Sequence, residues 1–238
     1  MEANLLIFDL DGTIIDVFGC GRKAIRTTMR KMFGVKRAGE NLDFPSSTDY
    51  VILSKISKQF DLKEAFFERI NEFQSIYAEE LKNEIKRSRT AKLLPGFPEL
   101  LRHLNLDPRW YLSLATGNMK AGAITKLRYF GLEEYFPTVG FGDNARNKKE
   151  VIELGLKDAR KFFKNDFKKG KIFVIGDTIL DIEAAKKLGL NSIAVATGFE
   201  EKEKLTQAQP DWLFDDLSCI DTFLKVINSH SHKKETEE

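Results

Sequence analysis

Two short segments of the sequence place pairs of aspartates directly after apolar runs. The segment DLDGT (residues 9–13) carries Asp9 and Asp11, whose side chains point to the same side of an extended chain. The segment IGDTILD (residues 175–181) adds Asp177 and Asp181. Because open α/β sheets bind ligands at the carboxyl ends of their parallel strands, we expect these four carboxylates to converge there.

A cluster of this kind needs a counter-charge. Two unit charges about 4 Å apart repel each other by about 4 kcal/mol at an effective dielectric constant near 20. Oxygen ligands without a histidine or thiolate nearby favour a hard divalent cation, Mg²⁺ before Mn²⁺ or Ca²⁺. Capping of the following helix is the alternative for Asp177 or Asp181 taken alone. The set of four favours the metal site.

Two further segments suit an anionic ligand. Thr116, Gly117 and Asn118 follow the apolar run that ends at Ala115, and a hydroxyl with glycine-adjacent N–H groups can hold phosphate oxygens. The pair Lys148-Lys149 precedes a helical pattern and supplies positive charge. Each signal is weak by itself, because Thr116 could be a turn residue and a lysine pair is usually a solvated face. We choose Lys148 as the phosphate-binding lysine, with Lys149 as the alternative.

Short apolar and β-branched runs alternate with helical patterns along most of the chain. The predicted strands are Leu5–Leu10, Tyr111–Ala115, Thr138–Phe141, Lys171–Ile175 and Asn191–Ala196. The predicted helices between them are Ala121–Phe130, Glu150–Phe163 and Asp181–Leu188, the last ended by Gly189. This alternation predicts a doubly wound, open parallel sheet of the Rossmann-like α/β class.

Residues 17–90 interrupt the alternation with helical patterns alone. One long helix is expected to bury a face made of Phe66, Ile70, Phe73, Tyr77 and Leu81. Gly34 is expected to end an earlier helix that carries Ile25, Met29 and Met32. We therefore predict a catalytic core of residues 1–16 and 91–228, an inserted helical cap of residues 17–90, and a disordered tail of residues 229–238.

The composition excludes several classes of protein. A chain of 238 residues can bury a core without disulfides, and Cys20 and Cys219 have no metal-binding spacing. His103 is the single histidine outside the tail, which argues against a histidine metal site or a Ser-His-Asp triad. The formal charge of +2 gives no reason to expect nucleic-acid binding.

No secretory signal or apolar stretch of the roughly 18 residues that a membrane span needs is apparent in the sequence. We expect a cytoplasmic protein without a membrane partner, either a monomer or a dimer.

Four features occur in order along the chain: DLDGT, LATGN (residues 114–118), a downstream lysine and IGDTILD. This ordered set resembles the motifs of the haloacid dehalogenase superfamily. The resemblance is to its phosphatase branch with a small helical cap, of the phosphoglycolate phosphatase type, and covers the chain except its tail. Many relatives have Lys-Pro at the lysine motif, whereas this chain reads GDNARNKK (residues 142–149). The dehalogenase branch matches poorly because its members lack the second aspartate.

The resemblance implies a role for each motif residue. Asp9 would be the nucleophile and Asp11 the general acid/base, while Thr116 and a lysine would bind the phosphoryl group. Asp177 would bind Mg²⁺ together with the Asp9 carboxylate and the Asp11 main-chain carbonyl, and Asp181 would hold metal-bound water.

These roles predict a Mg²⁺-dependent phosphatase that acts on a small phosphorylated metabolite, such as phosphoglycolate, through an aspartyl-phosphate. Two alternatives stay open: a phosphomutase of the β-phosphoglucomutase type, and a catalytically silent interaction module. Candidate cap contacts to substrate are Arg22, Lys23, Arg26 and the segment 47–49.

Overall fold

The central feature of the fold is a six-stranded parallel sheet. The computed structural model describes residues 3–40 and 48–233. Its strands are β1 (Asn4–Phe8), β2 (Ile15–Asp16), β3 (Lys92–Leu93), β4 (Trp110–Ala115), β5 (Val139–Gly140), β6 (Ile172–Gly176), β7 (Asn191–Val195) and β8 (Trp212–Phe214). The parallel sheet has the order β5-β4-β1-β6-β7-β8, which confirms the predicted α/β class, and β2 pairs with β3 in a separate antiparallel ribbon.

Helices connect the strands and cover both faces of the sheet. They are α1 (Cys20–Phe33), α2 (Asp49–Gln59), α3 (Lys63–Glu68), α4 (Ile70–Arg87), α5 (Phe97–Leu106), α6 (Lys120–Tyr129), α7 (Lys148–Phe163), α8 (Ile179–Leu188), α9 (Lys202–Gln207) and α10 (Ile220–Lys233). Short 3₁₀ turns occur at Glu133–Tyr135 and Lys169–Lys171.

Strand β1 lies at the middle of the sheet, between β4 and β6, and all five of its residues are buried. Leu6 and Phe8 point into the apolar cluster that includes α5 and α10, whereas Leu5 and Ile7 point into the cluster that includes α7 and α8. A strand covered on both faces needs a continuous apolar sequence, which explains the run before Asp9. The chain therefore emerges from β1 at the centre of the sheet edge.

The helices α1–α4 form an insertion between β2 and β3, here called the helical insertion. The ribbon pairs Ile15 with Leu93 and Asp16 with Lys92, so that both ends of the helical insertion leave the core together. Helix α1 ends as predicted at Gly34, whose φ of 68° is left-handed. Helix α1 packs on α4, and α4 packs on α6.

The expectation of one long helix through Phe66 and Leu81 is wrong, because the chain breaks between α3 and α4. Arg69 separates the two helices with φ −104° and ψ 18°. The Phe66 ring lies in the core of the helical insertion, with its centroid 5.1 Å from that of Phe73 and 5.8 Å from that of Phe33. Packing of these rings accompanies a bend that residue spacing alone did not reveal.

Two other features differ from the sequence-based expectation. Strand β8 and the β2–β3 ribbon were not predicted, since two or three residues give too short a pattern for periodicity. The α10 helix continues to Lys233, so residues 229–233 are helical although the sequence predicted disorder from residue 229. The rest of the predicted tail lies outside the described residues.

Gly96 is a position where the fold admits only glycine. Its φ is 79°, and a Cβ atom there would collide with the backbone of Leu217 and Ser218. Gly131 has a similar φ of 68° with open space around it. We expect Gly131→Ala to cost about 1 to 2 kcal/mol of unfolding free energy from backbone strain alone. Gly96→Ala should cost about 1 to 3 kcal/mol more, because it adds overpacking.

Urea unfolding of the two variants and the native protein measures this difference. Equal losses of stability in the two variants would contradict the close approach of Leu217 to Gly96.

Candidate active site

Three carboxylates meet at the carboxyl ends of β1 and β6. Asp9 follows β1 and continues its pairing, since its N–H donates to the Ile175 carbonyl at 2.8 Å. Asp177 follows β6, and Asp181 lies in the first turn of α8. One carboxylate oxygen from each of these aspartates lies within 4.8 Å of the other two. The structure thus brings together three of the four aspartates that the sequence singled out.

Asp181 also caps a helix. Its Oδ2 accepts hydrogen bonds from the Thr178 N–H at 3.2 Å and the Thr178 hydroxyl at 2.6 Å, and the Thr178 Oγ1 accepts from the Asp181 N–H at 3.4 Å. This reciprocal capping box satisfies donors at the start of α8. The other oxygen, Oδ1, lies 2.9 Å from the Lys148 ammonium. Capping and membership of the cluster are therefore compatible for this residue.

Asp177 is fully buried and held on both oxygens. Its Oδ1 accepts from the Thr13 hydroxyl at 3.1 Å, and its Oδ2 accepts from the Phe199 N–H at 3.0 Å. A Cβ atom at Gly12 or at Gly198 would collide with the Asp177 carboxylate. The two glycines let backbone from two loops close around this carboxylate, which fixes its position.

Lys148 supplies the positive charge at the cluster. Its ammonium lies 2.8 Å from Asp9 Oδ1 and 2.9 Å from Asp181 Oδ1, and its side chain is 9% exposed. Lys149, the alternative, instead pairs with Glu153 at 2.9 Å and is 43% exposed. Asn147 caps α7 by accepting the Glu150 N–H, which sets Lys148 at the first position of the helix. Of the two lysines, the geometry brings Lys148 to Asp9.

Burial and mutual repulsion shift the pKa values of the cluster. Burial raises the pKa of Asp9 to about 6, while Lys148 opposes the shift and Asp181 adds to it. Burial and then the charges of Asp9 and Asp181 raise the pKa of Asp177 well above its ordinary value. Burial would lower the pKa of Lys148, but Asp181 and Asp9 outweigh it and raise that pKa. The cluster therefore favours binding of further positive charge.

The side chain of Asp11 departs from the expected convergence, because it is directed to a different set of partners. Its Oδ2 lies 2.6 Å from the Lys126 ammonium and accepts from Asn118 Nδ2 at 2.6 Å. The carboxylate is held by these two side chains and is not part of the three-carboxylate group. Of the metal-binding roles expected for Asp11, only that of its main-chain carbonyl remains compatible with this geometry.

Thr116, Gly117 and Asn118 lie in the loop that follows β4. The buried Thr116 hydroxyl accepts from Asn118 Nδ2 at 2.6 Å, and the Asn118 carbonyl accepts from the Gly142 N–H at 2.8 Å. A Cβ atom at Gly142 would collide with the Gly117 backbone. Because β4 is the neighbour of β1, this loop ends at the same sheet edge as Asp9.

The start of α2 docks the helical insertion onto the core loops. The Thr48 hydroxyl donates to the Ala145 carbonyl at 2.6 Å, and the Asp49 N–H donates to the Gly117 carbonyl at 2.7 Å. The Asp49 carboxylate in turn accepts the Met119 N–H at 2.8 Å. Of the candidate cap contacts, Arg26 instead bonds to Ala38 within the helical insertion, and Ser47 lies outside the described residues.

The cluster of three carboxylates fits a magnesium ion. Asp9, Asp177 and Asp181 offer buried oxygen ligands close together, and Mg²⁺ prefers oxygen ligands and few carboxylates. Asp177 is held firmly by Thr13 and Phe199, which suits a metal with strict geometric demands. The donor set therefore agrees with the ion expected from the sequence.

Lys126 and Thr13 are site residues that the sequence argument missed. Lys126 lies in the middle of α6, and a lysine in a helix is usually solvent-exposed. The sequence around it therefore gives no sign that Lys126 is only 4% exposed. Thr13 belongs to DLDGT, and its place two residues after Asp11 could have marked it. Asp49 belongs to the segment 47–49, which the sequence offers only as a candidate substrate contact. The sequence gives no sign that the Asp49 carboxylate accepts the Met119 N–H.

No helix in the part of the chain that the structure describes is both long and apolar enough to cross a bilayer.

Comparison with known proteins assigns the family. Residues 6–195 match the model of the haloacid dehalogenase-like hydrolases. The chain belongs to this family of hydrolases. The match extends from β1 to the end of β7, and so includes all three carboxylates of the cluster and Lys148.

Curated relatives in this family are named as phosphatases. A phosphoglycolate phosphatase from Synechococcus elongatus is 25% identical over 211 residues, which cover 88% of this chain and 92% of the relative. A phosphorylated carbohydrates phosphatase from Thermotoga maritima is 28% identical over 197 residues, which cover 81% and 84%. The chain spans most of the length of both relatives.

Solved structures share the fold. A protein from Thermotoga maritima, described provisionally as a β-phosphoglucomutase, superposes with a TM-score of 0.62 at 23% identity. The superposition covers 95% of this chain and 100% of that one. At this identity, the likeness establishes the shared fold of core and helical insertion.

Asp49 gives a prediction about stability and pH. Burial raises the pKa of Asp49 in the folded protein to about 6, above the ordinary value of 3.8. The folded state therefore favours the protonated form of Asp49. The contribution of this carboxyl to the free energy of unfolding is fully present below about pH 4 and is lost as pH rises through about 6. Asp49→Asn keeps an acceptor for Met119 without this loss. Its stability relative to the native protein should rise by up to about 3 kcal/mol over that range.

Urea unfolding at several values from about pH 4 to 8, without added metal, tests the linkage. Asp166→Asn, in an exposed loop after α7, is the matched control and should follow the native profile. Parallel profiles for the Asp49 variant and the native protein would show that Asp49 is not linked to folding in this way.

Proposed function

We propose that this hydrolase is a Mg²⁺-dependent phosphatase that releases inorganic phosphate from a small phosphorylated metabolite. The observation that carries the proposal is the position of Asp9. This carboxylate lies at the end of the central strand, with the buried Lys148 ammonium 2.8 Å away and two further carboxylates beside it. Asp9 can therefore act as a nucleophile whose negative charge is compensated by the adjacent lysine.

In the first half-reaction, an Asp9 carboxylate oxygen attacks phosphorus in line with the ester bond. A bond forms between Asp9 and phosphorus, and the bond from phosphorus to the ester oxygen breaks. Asp11 gives its proton to the departing oxygen, so that a neutral alcohol leaves. Lys148 balances charge next to Asp9, which supports attack by a buried carboxylate.

In the second half-reaction, water replaces the alcohol. Asp11, now ionised, takes a proton from the water as its oxygen attacks phosphorus, and the bond to Asp9 breaks. Inorganic phosphate leaves, and both aspartates regain their starting states. The Thr116 hydroxyl and the Gly117 N–H are suited to hold phosphoryl oxygens through both steps, whereas the Asn118 N–H donates to Thr116 Oγ1 at 3.2 Å.

Asp9, Asp177 and the Asp11 main-chain carbonyl would hold Mg²⁺, with Asp181 binding a water of the ion. When bound, the ion supplies positive charge for the phosphoryl oxygens and for the carboxylate cluster. Lys148 remains beside Asp9 and Asp181 as a second source of positive charge.

We further propose that residues 17–90 act as a cap over this edge of the core. Support comes from the contacts of Thr48 and Asp49 with the loops after β4 and β5, and from the two-stranded ribbon at the ends of the helical insertion. A cover of this kind excludes bulk water from the aspartyl-phosphate. The names of the curated relatives favour phosphoglycolate or another small phosphate ester as the substrate.

Binding of Mg²⁺ should raise the melting temperature of the native protein. At an ion concentration of about 100 times Kd the stabilisation is about 2.7 kcal/mol, which corresponds to about 5 to 10 °C for a chain of this size. Asp177→Asn should abolish this shift.

Thermal unfolding with Mg²⁺ and with a chelator measures the shift, and Asp221→Asn, exposed in the first turn of α10, is the control that should keep it. An equal Mg²⁺ shift in the Asp177 variant would refute the proposed metal site.

Phosphate release tests the activity itself. Native protein is assayed with a panel of small phosphate esters, with and without Mg²⁺, beside Asp9→Asn, Asp11→Asn and the Asp221→Asn control. We expect Mg²⁺-dependent release that Asp9→Asn abolishes. Asp11→Asn should slow it by about 10² to 10⁴, the usual contribution of an acid/base group.

The products decide between the competing functions. Inorganic phosphate establishes the phosphatase, whereas transfer of phosphate to another position of a sugar phosphate would establish a mutase. Mg²⁺ binding without turnover of any ester would indicate an interaction module.

A further inference from the structure

Lys126 is a buried lysine that the reaction outlined above does not use. It lies in α6, its side chain is 5% exposed, and it contacts the Asp11 carboxylate. Lysine is almost never buried without partners, because transfer of an ammonium group out of water is costly. Its partners are Asp11 Oδ2 at 2.6 Å and Asn118 Oδ1 at 2.7 Å. A distinct lysine therefore serves each of the two proposed catalytic aspartates, Lys148 at Asp9 and Lys126 at Asp11.

Lys126 fixes the orientation of the Asn118 amide. An ammonium group only donates hydrogen bonds, so the Asn118 oxygen must face Lys126 and the Asn118 nitrogen must face away from it. That nitrogen donates to Asp11 Oδ2 and to Thr116 Oγ1, both at 2.6 Å. The lysine thus sets the donor that links the proposed acid/base to the proposed phosphate-binding loop.

Both bonds to the Asp11 carboxylate end on the same oxygen. Lys126 and Asn118 each contact Oδ2, so neither of them occupies Oδ1. A carboxylate with one oxygen held by two donors has little freedom to rotate. The arrangement matches what proton transfer needs, since a small displacement of an acid/base group costs much of its effect.

We propose that Lys126 is a positioning residue that acts with Asn118 to hold the Asp11 carboxylate for proton transfer to and from the substrate. This inference rests on the proposed phosphatase function. It assigns to Lys126 no contact with substrate and no part in neutralising the phosphoryl group. The competing explanation is that Lys126 only balances buried charge where α6 meets the helical insertion.

The dependence of rate on the leaving group separates the two explanations. An alkyl phosphate releases a strongly basic alkoxide and needs the proton from Asp11, whereas an aryl phosphate such as p-nitrophenyl phosphate releases a stable phenolate and needs it little. The ratio kcat/KM reports only the steps up to formation of the aspartyl-phosphate. A residue that positions Asp11 must therefore affect kcat/KM for the alkyl ester more than for the aryl ester.

The experiment compares Lys126→Met with the native protein on both esters in saturating Mg²⁺. Lys157→Met, an exposed lysine on α7, is the matched control and should behave as native. We expect Lys126→Met to lower kcat/KM about 10- to 100-fold for the alkyl ester and less than about threefold for the aryl ester. Lys126→Arg, which keeps a charged donor, should lose less than Lys126→Met on the alkyl ester.

Equal losses on the two esters, or no loss on either, would overturn the positioning role while leaving the phosphatase in place. Hydrolysis of neither ester by the native protein would overturn the proposed function and this inference together. Circular dichroism and thermal unfolding establish that each variant is folded. Should Lys126→Met fail to fold, Lys126→Arg is the test variant, because the arginine donors are displaced from the position of the lysine ammonium. A loss of kcat/KM confined to the alkyl ester then supports the positioning role, and equal losses on the two esters overturn it.

Discussion

Repulsion among buried carboxylates governs the centre of this molecule. Asp9, Asp177 and Asp181 have oxygens within 4.8 Å of one another; Asp177 and Asp181 are buried, and the Asp9 side chain is 11% exposed. Two unit charges at about 4 Å repel by about 4 kcal/mol at an effective dielectric constant near 20, so the group is stable only with positive charge in contact. Lys148 provides that charge at 2.8 and 2.9 Å. The order of the sheet and the start of α7 together bring the lysine and the carboxylates to one edge.

Close backbone packing holds the carboxylates where the charge is concentrated. Gly12 and Gly198 allow two loops to approach Asp177, whose oxygens accept bonds from Thr13 and Phe199. Gly142 allows a similar approach to the loop at Gly117. A side chain at any of these glycines would displace a carboxylate or a loop. Small residues therefore set the precision of the site as much as the charged ones do.

The helical insertion is tied to the same edge through polar contacts. Thr48 and Asp49 bond to the loops after β4 and β5, and α4 packs on α6, the helix that carries Lys126. The helical insertion therefore contacts both the loop at Gly117 and the helix that carries a partner of Asp11. The described hydrogen bonds and ion pairs of Asp9, Asp177 and Asp181, by contrast, come from residues of the core.

The sequence by itself determined the sheet class and the ends of its central strands, and it placed Asp9, Asp11, Asp177 and Asp181 at those ends, because an apolar run followed by an acid is a local pattern. Which of the four carboxylates meet was decided by the tertiary structure. Only the tertiary structure decided which lysine contacts Asp9, where the Asp11 carboxylate points, and that Lys126 is buried. Lys126 and Asp11 are 115 residues apart. Local patterns set helices, strands and their ends, but contacts across such separations depend on the order of the strands and on the packing of helices against them.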